Sequence, residues 1–233
     1  MRTIQFMDLG LSEYGKTWEK QELLSKEIIN QKLLNQQLPE AERTATPGYL
    51  LFVEHPSVYT LGKSGELQNL LLSSTQLAEK KVSFYKTNRG GDITYHGPGQ
   101  LVGYPILDLE NFGMGLRLYI YSMEESIIIA LAHYGVSASR DPDATGVWLD
   151  TGMPTARKIC AIGVKSSRHV TMHGFALNVN TDLDYFRYIH PCGFIDKGVT
   201  SMEKELGVML DFEQVKKTVL SCFLSAFDAK VNF

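Results

Sequence analysis

Tyr49-Leu50-Leu51-Phe52-Val53-Glu54-His55-Pro56 is a short apolar run that stops at a proline. The residue before a proline is pushed toward extended geometry, so the run reads as a buried strand. Upstream the period is different. Trp18 to Gln36 reads as an amphipathic helix, with Leu24, Ile28 and Leu34 among its apolar positions and Glu19, Lys20, Lys26 and Lys32 solvated between them. The polar stretch from Gln36 to Gly48 joins the two and is too short for an interdomain linker.

Downstream, Val82 to Lys86, Leu101 to Leu107, Gly146 to Leu149, Ile159 to Val164 and Phe175 to Val179 are further strand candidates. In the last, Phe175, Leu177 and Val179 alternate with Ala176, Asn178 and Asn180, the period of a half-buried strand. Leu116 to Tyr134 is apolar around most of its circumference and predicts a helix packed deep against the sheet. Asp211-Phe212-Glu213-Gln214 has capping-box spacing and opens a terminal helix expected to run to about Lys230. Helices and strands mix without βα alternation or internal repeat. That pattern predicts an α+β fold, a single domain over 1–233 with a mixed or largely antiparallel sheet flanked by helices.

The chain has 233 residues, 44% hydrophobic and 21% charged, with a net charge of −3, so nothing global points to nucleic acid. No apolar run approaches the roughly 20 residues that span a membrane, and Asp8 interrupts the start where a signal peptide needs an apolar core. The expectation is a cytoplasmic protein. Three cysteines without a C-x-x-C pair argue for reduced thiols. Thr151 to Thr181 holds no acid but contains Arg157, Lys158, Lys165 and Arg168, which suggests a landing surface for an acidic partner.

Two segments could carry chemistry. His190-Pro191-Cys192-Gly193 puts a thiol in a Pro/Gly turn, where it can be exposed and aimed as a nucleophile, whereas Cys160 and Cys222 sit inside apolar runs as core residues. Arg89-Gly90-Gly91-Asp92-Ile93-Thr94-Tyr95-His96-Gly97-Pro98-Gly99-Gln100 crowds polar side chains among glycines, as a ligand-facing wall would, and lacks the Gly-Lys-Ser/Thr ending of a phosphate loop. A base for Cys192 could be His96, His173, His190 or Lys158. Lys158 stands at the mouth of an apolar strand, where desolvation favours a neutral amine. A zinc site built from His169, His173, His190 and Cys192 fails on geometry. In a strand His169 and His173 lie roughly 13 Å apart, too far to share a metal whose bonds are about 2 Å.

The ordered blocks Glu54-His55-Pro56 through Gly62, Arg89-Gly90-Gly91 through Gln100, Arg157-Lys158-Ile159 with Ala161-Ile162-Gly163, His173-Gly174-Phe175-Ala176-Leu177-Asn178 and Pro191-Cys192-Gly193 resemble the motifs of lipoyl(octanoyl) transferases over about residues 49–203. Ser57 and Lys165 depart from that pattern, where the family often has proline and arginine. The resemblance implies the fold of biotin and lipoate protein ligases. It implies a Cys192/Lys158 dyad and an acyl pocket formed by Arg89, Gly90, Gly91, Asp92, Ile93, Thr94, Tyr95, His96, Ala161, Ile162, Gly163, His173, Gly174, Phe175 and Ala176. The implied activity is transfer of an octanoyl group from octanoyl-acyl carrier protein to a lysine amine of lipoyl domains, in 2-oxoacid dehydrogenases and the glycine cleavage H protein, through a cysteine thioester. This is the first step of endogenous lipoate synthesis, and it implies no cofactor, metal, nucleic acid or membrane. Both protein substrates are expected to be acidic. An ATP-dependent lipoate or biotin ligase and an octanoyl amidotransferase acting between lipoyl domains are the nearest alternatives; an acyl-binding module without catalysis would leave the thiol and lysine idle.

Overall fold

The computed structural model describes residues 2–190 and 198–232. In chain order the elements are β1 (Arg2–Leu11), α1 (Tyr14–Gln36), β2 (Tyr49–Glu54), β3 (Val58–Leu61), α2 (Ser74–Glu79), β4 (Ser83–Lys86), β5 (Ile93–His96), β6 (Gln100–Ile106), α3 (Leu116–Ala132), β7 (Ser139–Asp141), β8 (Ala144–Leu149), β9 (Arg157–Ser167), β10 (Val170–Asn178), β11 (Gly198–Val199), α4 (Met202–Leu206), α5 (Phe212–Ala226) and β12 (Ala229–Asn232). The main sheet runs β12-β1-β2-β6-β10-β9-β8-β7, with β11 paired to β9; β4-β3-β5 form a smaller second sheet. The centre is antiparallel, and β12-β1-β2 is parallel. The fold is α+β with a mixed sheet, as the sequence predicts.

The uniform apolarity of β2 has a direct cause, because the sheet is covered on both faces. Leu50 and Phe52 pack with α3 and α5 residues such as Met123, Ile127 and Phe223. Leu51 and Val53 pack on the opposite face around Ile28 of α1. Burying residues like these stabilises by roughly 1.5–3 kcal/mol each. A third cluster joins Tyr59, Ile93 and Tyr95 of the small sheet to the aromatic turn at Leu183–Tyr188, where Tyr95 and Tyr185 stack with centroids 4.7 Å apart.

Two sequence expectations need correction. The terminal helix is capped by Asp211, whose Oδ1 accepts the Gln214 N–H at 3.1 Å, but it ends at Ala226 and the chain turns into β12 rather than continuing to Lys230. The buried face of α1 is largely polar. Tyr14, Thr17, Gln21, Ser25 and Ile28 face inward while Leu34 is exposed, because Gln21 Oε1 accepts the His173 N–H at 2.9 Å where β10 takes a positive φ of 60°. The helix α3 packs into the main core through Tyr119, Met123, Ile127 and Leu131, as expected, while Leu118, Tyr121 and Ile129 of its apolar circumference are exposed. The 36–48 stretch folds back on α1, where Asn35 Nδ2 donates to the Thr44 carbonyl at 2.7 Å.

Candidate active site

A cavity of about 120 Å³ opens between the glycine-rich segment and strands β6, β9 and β10. That is about ten times what a single water requires. Of the expected pocket residues, Arg89, Gly91, Asp92, Ile93, Thr94, His96, Ala161, Ile162, Gly163, His173, Gly174, Phe175 and Ala176 line it, together with Lys158. Two do not. Tyr95 turns into the small-sheet core beside Tyr59 and Tyr185, and Gly90 is a wall tie whose N–H donates to the Val164 carbonyl at 2.9 Å.

Sequence reasoning missed Tyr14, Val102, Tyr104, Trp148 and Phe186, which also line the cavity. Trp148 gave no signal in the sequence, because only the β8–β9 register makes it the cross-strand partner of Lys158. Tyr14 carried no signal, because only the fold of α1 over β10 brings it in.

The polar groups of the wall are held by a dense hydrogen-bond network. Buried Arg89 donates from Nη2 to the Thr60 carbonyl at 2.6 Å and from Nη1 to its neighbour's carbonyl at Gly90, 2.9 Å away. Asp92 accepts the Ile93 N–H at 2.6 Å and the Asn69 amide at 2.7 Å. His96 Nδ1–H donates to Gln100 Oε1 (2.7 Å), Gln100 Nε2 to Asn178 Oδ1 (2.8 Å), and Asn178 Nδ2 to the Thr200 carbonyl (2.9 Å). The Thr200 N–H in turn donates to the Lys158 carbonyl at 2.9 Å. This chain ties the far wall to the strand that carries Lys158.

His173 Nε2–H donates to Asn88 Oδ1 at 2.8 Å. Burial lowers the His96 and His173 imidazoles to a pKa of about 3, and His55, bonded to the Ser12 carbonyl and the Tyr104 hydroxyl, to about 4. All three are therefore neutral near pH 7 and serve as fixed hydrogen-bonding groups. None fits the role of a base that cycles near neutrality.

Lys158 is half-buried, with its Nζ 4.5 Å from the centroid of the Trp148 ring. Its neighbour in sequence, Arg157, is clasped by Glu205 at 2.6 Å and paired with Asp150. The acid-free stretch is thus not a uniformly free positive surface, for α4 and the β8–β9 turn supply the missing acids. Lys165 lies away from the cavity in a groove with Glu22 and Lys26, and Arg168 is exposed at the β9–β10 turn. His169 occupies that same exposed turn, 3.9 Å from Glu110, while His173 is buried.

Cys160 and Cys222 are buried, and burial pushes both thiols up from the ordinary range. Pro191, Cys192 and Gly193 lie outside the described residues. Gly198 and Val199, which follow that segment, line the cavity and pair with Arg157 and Lys158. Among the described residues no helix is long and apolar enough to cross a membrane.

Solved structures with this architecture include lipoate and biotin protein ligases. The archaeal bipartite lipoate protein ligase of Thermoplasma acidophilum superposes with a TM-score of 0.70 at 13% identity, over 100% of this chain and 86% of that one. The Aquifex aeolicus biotin protein ligase in complex with biotin and ATP does so with 0.51 at 16% identity, over 96% and 70%. The chain belongs to the lipoyl protein ligase A/B catalytic domain family, whose profile matches residues 29–224, and within it groups with octanoyltransferases. Relatives of that name include those of Flavobacterium psychrophilum, 55% identical over 99% of both chains, and Bacteroides fragilis strain YCH46, 50% identical over 99% of this chain and 100% of its own.

Proposed function

We propose that this protein, acting as one catalytic domain in the cytoplasm, transfers an octanoyl group from octanoyl-acyl carrier protein to a lysine amine of lipoyl domains through a thioester on Cys192. The observation that carries the reading is the position of Lys158. Its amine borders an acyl-sized cavity with Val102, Ile162, Phe175 and Ala176 in its walls, directly beside the strand that follows the Cys192 segment. The relatives' shared name supports an octanoyl group as the cargo.

In this mechanism Lys158 takes the proton of Cys192, and the thiolate attacks the donor thioester carbonyl. The tetrahedral intermediate collapses with loss of the carrier thiolate, which takes the proton back from the Lys158 ammonium. The acyl group now rests on Cys192 as a thioester. The acceptor lysine amine then attacks, its proton passes to Lys158, and the amide forms as the Cys192 thiolate leaves and is reprotonated. One residue thereby serves both half-reactions. The driving force comes from the donor thioester, so no nucleotide is consumed.

The test is transfer from octanoyl carrier protein to an apo lipoyl domain, of a 2-oxoacid dehydrogenase or of the glycine cleavage H protein, without ATP or magnesium. Octanoylated acceptor is expected, and free octanoate should give none even with both supplied. Product formed only from free acid and ATP would replace this reading with a ligase. An octanoylated lipoyl domain as the sole effective donor would replace it with an amidotransferase.

A further inference from the structure

We infer that Trp148 is a positioning residue for the general base, holding the Lys158 amine at the cavity wall while the acyl group is transferred. This rests on the assignment of Lys158 as that base. The ring is itself fixed, being buried with its Nε1–H donating to the Ala144 carbonyl at 2.9 Å. It faces Lys158 across the β8–β9 ladder, where a register shift opposes Trp148 to Lys158 and Val147 to Cys160, leaving Ile159 as the extra residue. Such a bulge re-aims the side chain beside it.

The lysine stem has its own track. Gly146 adopts a φ of +125°, and a Cβ there would stand 3.4 Å from Lys158 Cε and 2.6 Å from the Cys160 carbonyl. The positive φ and the close Cys160 carbonyl require glycine here, and the Lys158 stem runs past it at van der Waals distance. From below, the buried Glu124 of α3 accepts the Gly146 N–H at 3.0 Å and is paired to Arg140 at 3.2 Å, so the track is anchored to the helix layer. The aliphatic stem of Lys158 thus packs beside Gly146, and its Nζ lies over an aromatic face, which attracts the ammonium formed once it holds the Cys192 proton. A long, flexible side chain that must donate and accept a proton twice per turnover gains from both restraints.

Other charges surround Lys158. Among the described residues they are Glu124 from α3, the Arg157–Glu205 pair with α4, and Arg89 and Asp92 across the cavity, while the Cys160 thiol on its own strand is held neutral by burial. Replacing the neutral indole removes no charge, so a Trp148 variant changes the ring while these charged groups stay in place.

The experiment compares Trp148→Phe, Trp148→Leu, Trp148→Met, Lys158→Ala and the Lys158→Ala/Trp148→Leu double variant. For each, kcat and KM for octanoyl carrier protein are measured, with the pH dependence of iodoacetamide labelling of the Cys192 peptide. Phe keeps an aromatic face and is expected within about 2-fold of the parent. Leu should lose about 2- to 30-fold in kcat, the span of a cation–π contact from exposed to desolvated settings, with KM unchanged. Its labelling should rise at higher pH, because the ammonium is no longer held beside the thiolate. In the Lys158→Ala background Leu should add nothing. Thermal melting checks each fold, and Met, flexible enough to fill the slot, replaces Leu if the latter fails to fold. Parent-like kinetics in the Leu or Met variant, or the same loss in the Lys158→Ala background, would overturn the positioning role alone. Parent-like transfer and labelling in Lys158→Ala would instead remove the base itself, and the positioning role with it.

Discussion

A Cβ on Gly163 would stand 2.9 Å from the carbonyl oxygen of Gly90, so β9 and the glycine-rich wall meet backbone to backbone at the side of the cavity. The contact is reinforced one residue on, where the Gly90 N–H bonds to the Val164 carbonyl. Gly163→Ala forces the wall outward and distorts the Arg89–Asp92 segment. Overpacking of this kind costs about 1–3 kcal/mol. The variant is expected to melt lower and to transfer octanoyl with a raised KM for a small acyl thioester; unchanged KM would show that the wall does not shape the pocket.

Cys192 is predicted to carry the acyl group, since Cys160 and Cys222 are buried with their thiols pushed up. After incubation with octanoyl carrier protein, intact mass should show a hydroxylamine-labile octanoyl adduct in the parent, in Cys160→Ala and in Cys222→Ala. It should be missing from Cys192→Ala. An adduct mapped to Cys160 or Cys222 would refute the assignment.

The two lysines of β9 should behave differently. Lys158 borders the cavity and Lys165 does not. Lys158→Ala is expected to slow transfer by about 10²- to 10⁴-fold, the range for a lost general base, while Lys165→Ala leaves it within a few-fold. The reverse ranking in single-turnover assays would move the dyad to the other lysine.

Acid should destabilise the fold before ordinary carboxylates titrate. His55, His96 and His173 are held neutral by burial, at about 4, 3 and 3, whereas unfolded histidine titrates near 6.5. The unfolded chain therefore binds more protons below roughly pH 6.5, and stability present above that pH is lost as it falls toward 4. Each buried imidazole contributes roughly 1.4 kcal/mol per pH unit in that window. Urea unfolding of the parent and of His173→Gln between pH 7.5 and 5 should show a shallower slope in the variant. Parallel slopes would mean that His173 is charged in the folded protein.

Arg157 is predicted to act on stability and not on the donor. It is clasped by Glu205 of α4, whose carboxyl it holds below the ordinary range, and is paired with Asp150. Arg157→Gln should cost about 1 kcal/mol, or roughly 2–4 °C of Tm for a chain of this size, with little change in KM for carrier protein. The exposed Arg168→Gln should do the opposite, raising that KM at low salt with Tm unchanged. A salt-dependent KM defect in Arg157→Gln would restore it to the docking surface.

The strands read from the sequence were those with an apolar run or an alternation, and β3, though fully buried, was not among them. The β2 run is apolar because both of its faces are covered, whereas β10, read from its alternation as half-buried, is buried along its whole length, its polar Asn178 and His173 held by hydrogen bonds. By contrast, β1 was invisible, since Ile4 is its one fully buried residue amid half-exposed neighbours and the strand exists through pairing to β2 and β12. The polar inner face of α1 was equally hidden, because Gln21 is buried by a bond to the backbone N–H of His173, a contact between residues 152 positions apart. For the site, motif residues gave most of the walls. What they could not give was the hairpin register that sets Trp148 against Lys158, or the acids that neutralise Arg157 from distant elements.

The parallel pairing of β12 with β1 joins Arg2 to Ala229 and Gln5 to Asn232, partners separated by almost the whole sequence. Closing so long a loop brings an entropic cost that precedes any reward from the contact. The β8–β9–β10 hairpins, by contrast, are local and can form early. The order of assembly then places the walls around Lys158 before the outer edge of the sheet, and amide exchange should be fastest in β12 and slowest in β10. Heat would fray that edge while the strands around the cavity still hold their shape.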